Sequence, residues 1–156
     1  MTDSQRTVNV PSGWRNVRLK QTIEVCRNGV WGSEPEDGDA VPCVRVADFD
    51  RTTNRVCDEI PTLRSFTDSE LAGRVLDRDD LLLEKSGGGE LQPVGFVVSY
   101  DRNERAVCSN FVARMPPARG YDSRFICYVH AHLYAGRVNE RSIKQTTGIQ
   151  NLDATS

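Results

Sequence analysis

Long apolar runs are missing from this 156-residue chain; its hydrophobic stretches are only a few residues each. A helix that spans a bilayer needs roughly 20 apolar residues, so the sequence predicts no membrane association through a spanning helix. The opening residues, Met1-Thr2-Asp3-Ser4-Gln5-Arg6, lack the apolar core of a secretory signal. Cysteine is present five times (Cys26, Cys43, Cys57, Cys108, Cys127), but no two form a C-x-x-C pair and the count is odd. That pattern argues against a disulfide frame or a zinc site and for reduced thiols in a cytoplasmic protein. Histidine is scarcer still. His130 and His132 lie two apart on a predicted helix, so they point in very different directions and cannot share a metal ion. Lysine is nearly absent: 3 Lys stand against 17 Arg. Arginine is the better bidentate donor to phosphates and guanine edges.

An excess of positive charge is also lacking. The net charge is −2, with 11 basic and 15 acidic side chains over residues 1–80 and 9 basic and 7 acidic over residues 81–156. The acid excess thus sits in the first half. At 38% hydrophobic and 27% charged residues, the composition is that of one globular domain with a sizeable core. Residues 1–12 are polar and read as a flexible segment, residues 13–153 as a single domain, and residues 154–156 as a tail.

The most informative feature is a strand that breaks into glycines and resumes. Asp80-Leu81-Leu82-Leu83-Glu84 leads into Lys85-Ser86-Gly87-Gly88-Gly89, and Gln92-Pro93-Val94-Gly95 leads into Phe96-Val97-Val98. Three consecutive glycines cost backbone entropy, and close approach of a phosphate or base edge is one reason to accept that cost. Lys85 adds a cation with three donors at the loop mouth. The alternative is a flexible hairpin loop. A nucleotide-binding P-loop is excluded, because there the Lys-Ser/Thr follows the glycines' spacer and here it precedes them. A metal-dependent nuclease of the Glu-x-Lys type needs an acid at position 83, which is Leu83. Asp79, Asp80 and Glu84 are therefore expected to cap a strand or face solvent. Trp14 and Trp31 are candidate base-stacking residues, with anchoring of a core or loop as the other reading.

The remaining elements read as follows. Val17 and Leu19 alternate as in a strand, and residues 41–47 form a second, with Pro42 at its start where a missing N–H does least harm. Thr67 and Glu70 make a capping box for a short helix that ends near Gly73. Strands are expected at 81–83, 96–100 and 106–109, with residues 101–104 as a hairpin turn between the last two. Residues 122–135 form the clearest helix, with Phe125, Ile126, Val129 and Leu133 as its apolar stripe and Gly136 as its stop. Residues 144–152 are a phosphate-contacting turn or a simple tail. The fold class is α+β, a twisted and mainly antiparallel sheet with flanking helices.

In order, several blocks resemble one family. Gly13-Trp14-Arg15-x-Val17-x-Leu19, Gly29-Val30-Trp31-Gly32, residues 41–48, the glycine-loop block with Gln92-Pro93-Val94-Gly95, Ser109-Asn110-Phe111 and residues 147–153 are together similar to the target recognition domain of a Type I restriction-modification specificity subunit. The resemblance implies a non-catalytic module that reads one half of a bipartite target in double-stranded DNA. It implies assembly with a modification (methyltransferase) subunit and a restriction (motor and nuclease) subunit. S-adenosylmethionine, ATP and Mg would belong to those partners, and no cofactor to this chain. The missing Asn-Pro-Pro-Tyr methyltransferase segment agrees with that. The implied DNA-facing residues are Lys85, Ser86, Gly87, Gly88 and Gly89 on the backbone, Gln92, Arg45 and Asn110 at base edges, Trp31, and the turn at Thr147 and Gly148. The sequence departs from the family in ending where a spacer helix would begin, and in carrying Phe96 where relatives often have Arg. A regulatory or decoy domain that binds the modification subunit without reading DNA is the alternative.

Overall fold

The computed structural model describes residues 9–35, 38–138, 143–146 and 149–152. In chain order the strands are β1 (Arg27–Asn28), β2 (Val41–Val44), β3 (Phe49–Asp50), β4 (Arg55–Val56), β5 (Leu63–Arg64), β6 (Asp80–Glu84), β7 (Val97–Tyr100), β8 (Val107–Cys108), β9 (Val112–Met115), β10 (Ile143–Thr146) and β11 (Ile149–Leu152). Helix α1 (Asp68–Leu71) precedes β6 and helix α2 (Ser123–Ala135) follows β9. Short 3-10 turns occupy Leu19–Thr22 and Val46–Asp48.

Six strands form the main sheet in the order β1-β9-β6-β7-β4-β3. A second sheet runs β5-β2-β8, and β10 pairs with β11 in a hairpin. Most pairings are antiparallel; β2–β8 and β4–β7 are parallel. The centre of the main sheet is covered on both faces, which is why β6 and β7 are apolar along their length rather than alternating. Leu82, Val98 and Tyr100 pack with Val44, Phe49 and Cys108 toward the second sheet. Leu81, Leu83 and Val97 pack with Ile126 and Cys127 of α2 on the other face. The result is three layers: small sheet, main sheet, helix. This is the mixed α+β, mainly antiparallel arrangement that the sequence predicts.

Local signals hold in several places. Thr67 caps α1 by accepting from Glu70 N at 3.2 Å, and Glu70 returns a bond to Thr67 N at 2.9 Å. Asp122 caps α2 by accepting from Phe125 N at 2.9 Å. Pro42 lies where β2 pairs only with β5; β8 joins at Cys43, so no ladder bond is lost.

Other expectations are corrected. Val17 is in no strand, and Leu19–Thr22 is a 3-10 turn closed by Thr22 Oγ1 donating to Leu19 O at 2.6 Å. The segment 41–47 leaves the strand after Val44, because the Asp48 carboxylate accepts from Arg45 N at 2.7 Å and curls the chain. Strands β7 and β8 do not form a hairpin: β7 pairs with β6 and β4, β8 with β2. Arg102 donates to the carbonyls of Cys57 at 2.6 Å and Asp58 at 2.9 Å, drawing the intervening segment away from a tight turn. The buried side of α2 is Ser123, Ile126, Cys127 and His130, whereas Phe125 is 52% exposed and packs edge-on against Trp14. Gly136 caps the end of α2 as expected, its N–H donating to His132 O at 3.0 Å, and Arg137 after it is left-handed at φ +55°. Strand β9 is unforeseen, as is the hairpin β10–β11. No helix among the described residues is long and apolar enough to cross a membrane.

Candidate nucleic-acid interface

Two adjoining clefts open on one side of the molecule and share Val46 and Ala47 as a common wall. The first, about 420 Å³, is lined by Trp31, Arg45, Ser109, Asn110 and Phe111 besides that wall. The second, about 370 Å³, is lined by Phe49, Arg51, Glu84, Gly87, Gly88, Gly89 and Gln92. Seven of the nine DNA-facing candidates within the described residues therefore meet on one concave surface. Thr147 and Gly148 lie outside the described residues.

The first cleft is mainly apolar with two polar heads. Arg45 reaches it from the turn that Asp48 caps; its Nε sits 3.9 Å from Asp48 Oδ2 and has no hydrogen-bond partner. The Arg45 side chain remains 41% exposed, so its guanidinium is available to a ligand. Trp31 is held from behind. Arg64 stacks over the indole at 4.6 Å, donates to Trp31 O at 3.1 Å and pairs with Glu34. Trp31 stays 39% exposed and Phe111 44% exposed, two flat apolar surfaces beside a guanidinium and an amide.

The second cleft is built on the glycine loop. Lys85 N and Ser86 N donate to Phe111 O at 2.9 and 3.2 Å, Gly87 N to Gln150 O at 3.1 Å, and Gly89 N to Gln92 O at 3.0 Å. Four of the five loop amides are thus engaged inside the protein. A row of free N–H groups to cradle a phosphate is not what this loop presents, because β11 and the β8–β9 turn already hold it. Gly88 must be glycine for an internal reason: a Cβ there would lie 2.6 Å from Val94 N and 2.8 Å from Gln92 O. Gly89 is different, since a Cβ would meet nothing within 4 Å. Lys85 lines neither cleft. Its Nζ donates to Asn28 Oδ1 at 2.7 Å, on the strand β1 side. Ser86 lies beside it, partly buried.

Arg51 and Glu84 form the floor of the second cleft. Arg51 Nη2 donates to Glu84 Oε2 at 2.6 Å, and its guanidinium rests 4.4 Å over the Phe96 ring. Burial pushes the Glu84 carboxyl up, and Arg51 pulls it back. At the other end of β6 Asp80 is similarly buried; it accepts from Arg114 Nε at 2.5 Å and from Asp77 N at 2.8 Å. Asp80 thus caps the start of β6, one of the two expected roles, whereas Glu84, buried against Arg51, departs from both; Asp79 is exposed, adopts φ +73°, and its carbonyl accepts from Ser123 Oγ at 2.5 Å. Phe96 has a role here as well, as the platform under Arg51.

Other reactive groups are packing elements. Burial pushes the Cys43 and Cys127 thiols up to about 11 and the Cys108 thiol to about 12, so none of the three carries thiolate character near neutrality. His130 is buried with Nε2 unpartnered, and burial lowers it to about 4. Among the described residues, no group of three or more His, Cys, Asp or Glu is arranged to hold a metal ion.

No protein-family model and no curated relative matches the chain. A solved structure does: the HsdS subunit from Thermoanaerobacter tengcongensis, with a TM-score of 0.52 and 21% identity over 85% of this chain. The chain has the fold of an HsdS target recognition domain. It spans only 31% of that HsdS chain. Of the residues that line the two clefts, the sequence singled out the glycine loop, Gln92, Trp31, Arg45 and Asn110 as candidates but not Arg51, Glu84 or Phe111. Arg51 carries no local signal, because Glu84 lies 33 residues away. Phe111 has one, its place beside Asn110 in the Ser109-Asn110-Phe111 block.

Proposed function

We propose that this chain is a sequence-reading module for double-stranded DNA, serving one half of a bipartite target in a Type I restriction-modification complex. The observation that carries the reading is the convergence of Trp31, Arg45, Asn110, the glycine loop and Gln92 on two clefts with a shared wall, on an HsdS-like fold. The duplex lies across the Val46–Ala47 ridge. Arg45 and Asn110 read base edges; Arg suits guanine O6/N7 and Asn suits adenine N6/N7. Gly87 and Gly89, exposed and without side chains, let the DNA backbone come close. Lys85, oriented by Asn28, contributes a phosphate contact that fixes register rather than sequence. The module is non-catalytic. Adenine methylation belongs to a modification subunit with S-adenosylmethionine, and cleavage to a restriction subunit with ATP and Mg, all in the cytoplasm.

Random-site selection on duplex DNA tests this, with the chain alone and with the modification subunit added. A defined short half-site supports the reading; enrichment of no sequence in either arm sinks it. A second reading has its own observation. Trp14, Phe125 and Tyr128 form an aromatic patch, 62%, 52% and 63% exposed, suited to a protein partner. In the decoy alternative that patch binds the modification subunit and DNA plays no part. Co-purification with the subunit that is unaffected by target duplex, together with an empty selection, favours the decoy.

A further inference from the structure

Gln92 stands at the rim of the second cleft, exposed and held in one orientation. Its surroundings assign the amide oxygen to the Arg51 side, where it lies over the guanidinium, 2.6 Å from Nε and 3.3 Å from both Nη1 and Nη2. The reverse orientation would set an NH₂ group against a guanidinium, donor against donor, and a guanidinium never accepts. Arg51 is itself fixed by Glu84 at 2.6 Å, by the Phe96 ring beneath it, and by Tyr134 Oη, which accepts from Nη1 at 3.4 Å. The backbone around Gln92 is fixed too. Tyr134 Oη donates to Pro93 O at 2.8 Å, and Gln92 O accepts from Gly89 N at 3.0 Å. With the oxygen turned inward, the amide NH₂ turns outward.

We infer that Gln92 is a specificity-determining residue that presents two N–H donors and no acceptor to the DNA, with Arg51 as its positioning residue. This rests on the DNA-reading proposal and narrows it. A glutamine that pairs with adenine needs its oxygen to accept from N6–H while its NH₂ donates to N7. Here the oxygen is taken by Arg51. Guanine, with N7 and O6 both acceptors, fits two donors best; thymine O4 is next; adenine loses its second bond, and cytosine offers only a donor.

The test is random-site selection with the wild-type protein, Gln92→Glu and Arg51→Lys, each with the modification subunit present. Gln92→Glu keeps the size and the bond to Arg51 but replaces the outward donors by an acceptor. One position is expected to move from guanine or thymine toward cytosine, with a change in preference of roughly tenfold or more. Arg51→Lys removes the planar guanidinium that the amide oxygen faces, frees the amide to turn, and is expected to admit adenine at that same position while leaving the others as they were. A structural role for Arg51 would weaken every position equally. Adenine at the Gln92 position in the wild-type selection, or base preferences that Gln92→Glu leaves intact, overturns the inference and leaves DNA reading standing. A wild-type selection that enriches nothing overturns both.

Discussion

At one end of β6 Arg114 donates to two carboxylates, Asp80 at 2.5 Å and Asp77 at 2.8 Å, and to Gly73 O at 3.2 Å; at the other end Arg51 donates to one carboxylate, Glu84 at 2.6 Å. Both acids are buried, 2% and 3% exposed, and both are pushed up by desolvation. What each guanidinium meets separates the two ends. Arg114 divides its donors between two carboxylates and a carbonyl, all of them in the frame. Arg51 serves a single acid and the Tyr134 hydroxyl, and its guanidinium also faces the Gln92 amide on the surface. A buried ion pair thus closes the frame at one end of the strand and orients a surface amide at the other.

The sharpest way to break that comparison is Arg114→Met. It leaves the Asp80 carboxylate buried with Asp77 N as its hydrogen-bond donor. Truncating one partner of a buried pair costs about 3–5 kcal/mol, and urea unfolding should show a loss of that size. Base preference in the folded fraction should stay unchanged. If Arg114→Met altered preference while Arg51→Lys did not, the assignment of the two ends would be reversed.

A second buried titratable group, His130, belongs to neither end and sharpens the contrast through pH. Its folded value of about 4 lies below the unfolded 6.5, so the fold favours the neutral ring. The stability it supports is complete above pH 6.5 and is lost as pH falls toward 4, because the unfolded chain takes up the proton first. The loss approaches about 3 kcal/mol at the lower limit. Asp80 and Glu84 act in the opposite sense. Their raised values mean that the fold holds their protons more tightly, so acid favours it. The difference between wild type and His130→Leu isolates the histidine. That variant should show a flatter stability profile between pH 6.5 and 4 by urea denaturation, and an unchanged slope would remove His130 from the account.

What the sequence made legible follows from how local each signal is. Thr67 with Glu70, Asp122 before α2, and the apolar runs of β6 and β7 each declare themselves within a few residues. The false hairpin after Tyr100 fails because Arg102 is bound to carbonyls 44 and 45 residues away. Strand β9 is hidden by Arg114, a charge in the strand's interior that only Asp80 and Asp77 make tolerable. Phe125 reads as core because it keeps helical spacing, yet its partner is Trp14, at the far end of the sequence. The candidate site was legible as separate blocks. Their meeting at Val46–Ala47 was not, since a 3-10 turn capped by Asp48 makes that wall.

The glycine loop supplies a finer contrast inside the second cleft. Gly88→Ala would drive a Cβ to 2.6 Å from Val94 N, against backbone that Tyr134 and Gln150 hold. Overpacking of this kind costs about 1–3 kcal/mol. Gly89→Ala has open space and should leave the thermal midpoint within a degree or two. If Gly89 is bare so that the DNA backbone can approach, that alanine should weaken duplex binding at equal stability, measured by fluorescence anisotropy. Undiminished binding by Gly89→Ala would mean that the loop's glycines serve only its own folding.

The smallest effect belongs to Lys85. Its ammonium is held by Asn28 at 2.7 Å and lies outside both clefts, and the proposed function gives it a phosphate rather than a base. Each phosphate contact contributes about one unit to the dependence of log affinity on log salt. Lys85→Ala should therefore lower affinity by a similar factor for target and non-target duplex and reduce the salt slope by about one. Asn28→Ala should reproduce part of that loss, because the ammonium would then swing freely instead of being held by Asn28. A Lys85→Ala protein with an unchanged slope would put the duplex entirely on the cleft side of the glycine loop. Affinity lost for the target alone would make Lys85 a reader of bases, and the division of labour between it and Gln92 would have to be redrawn.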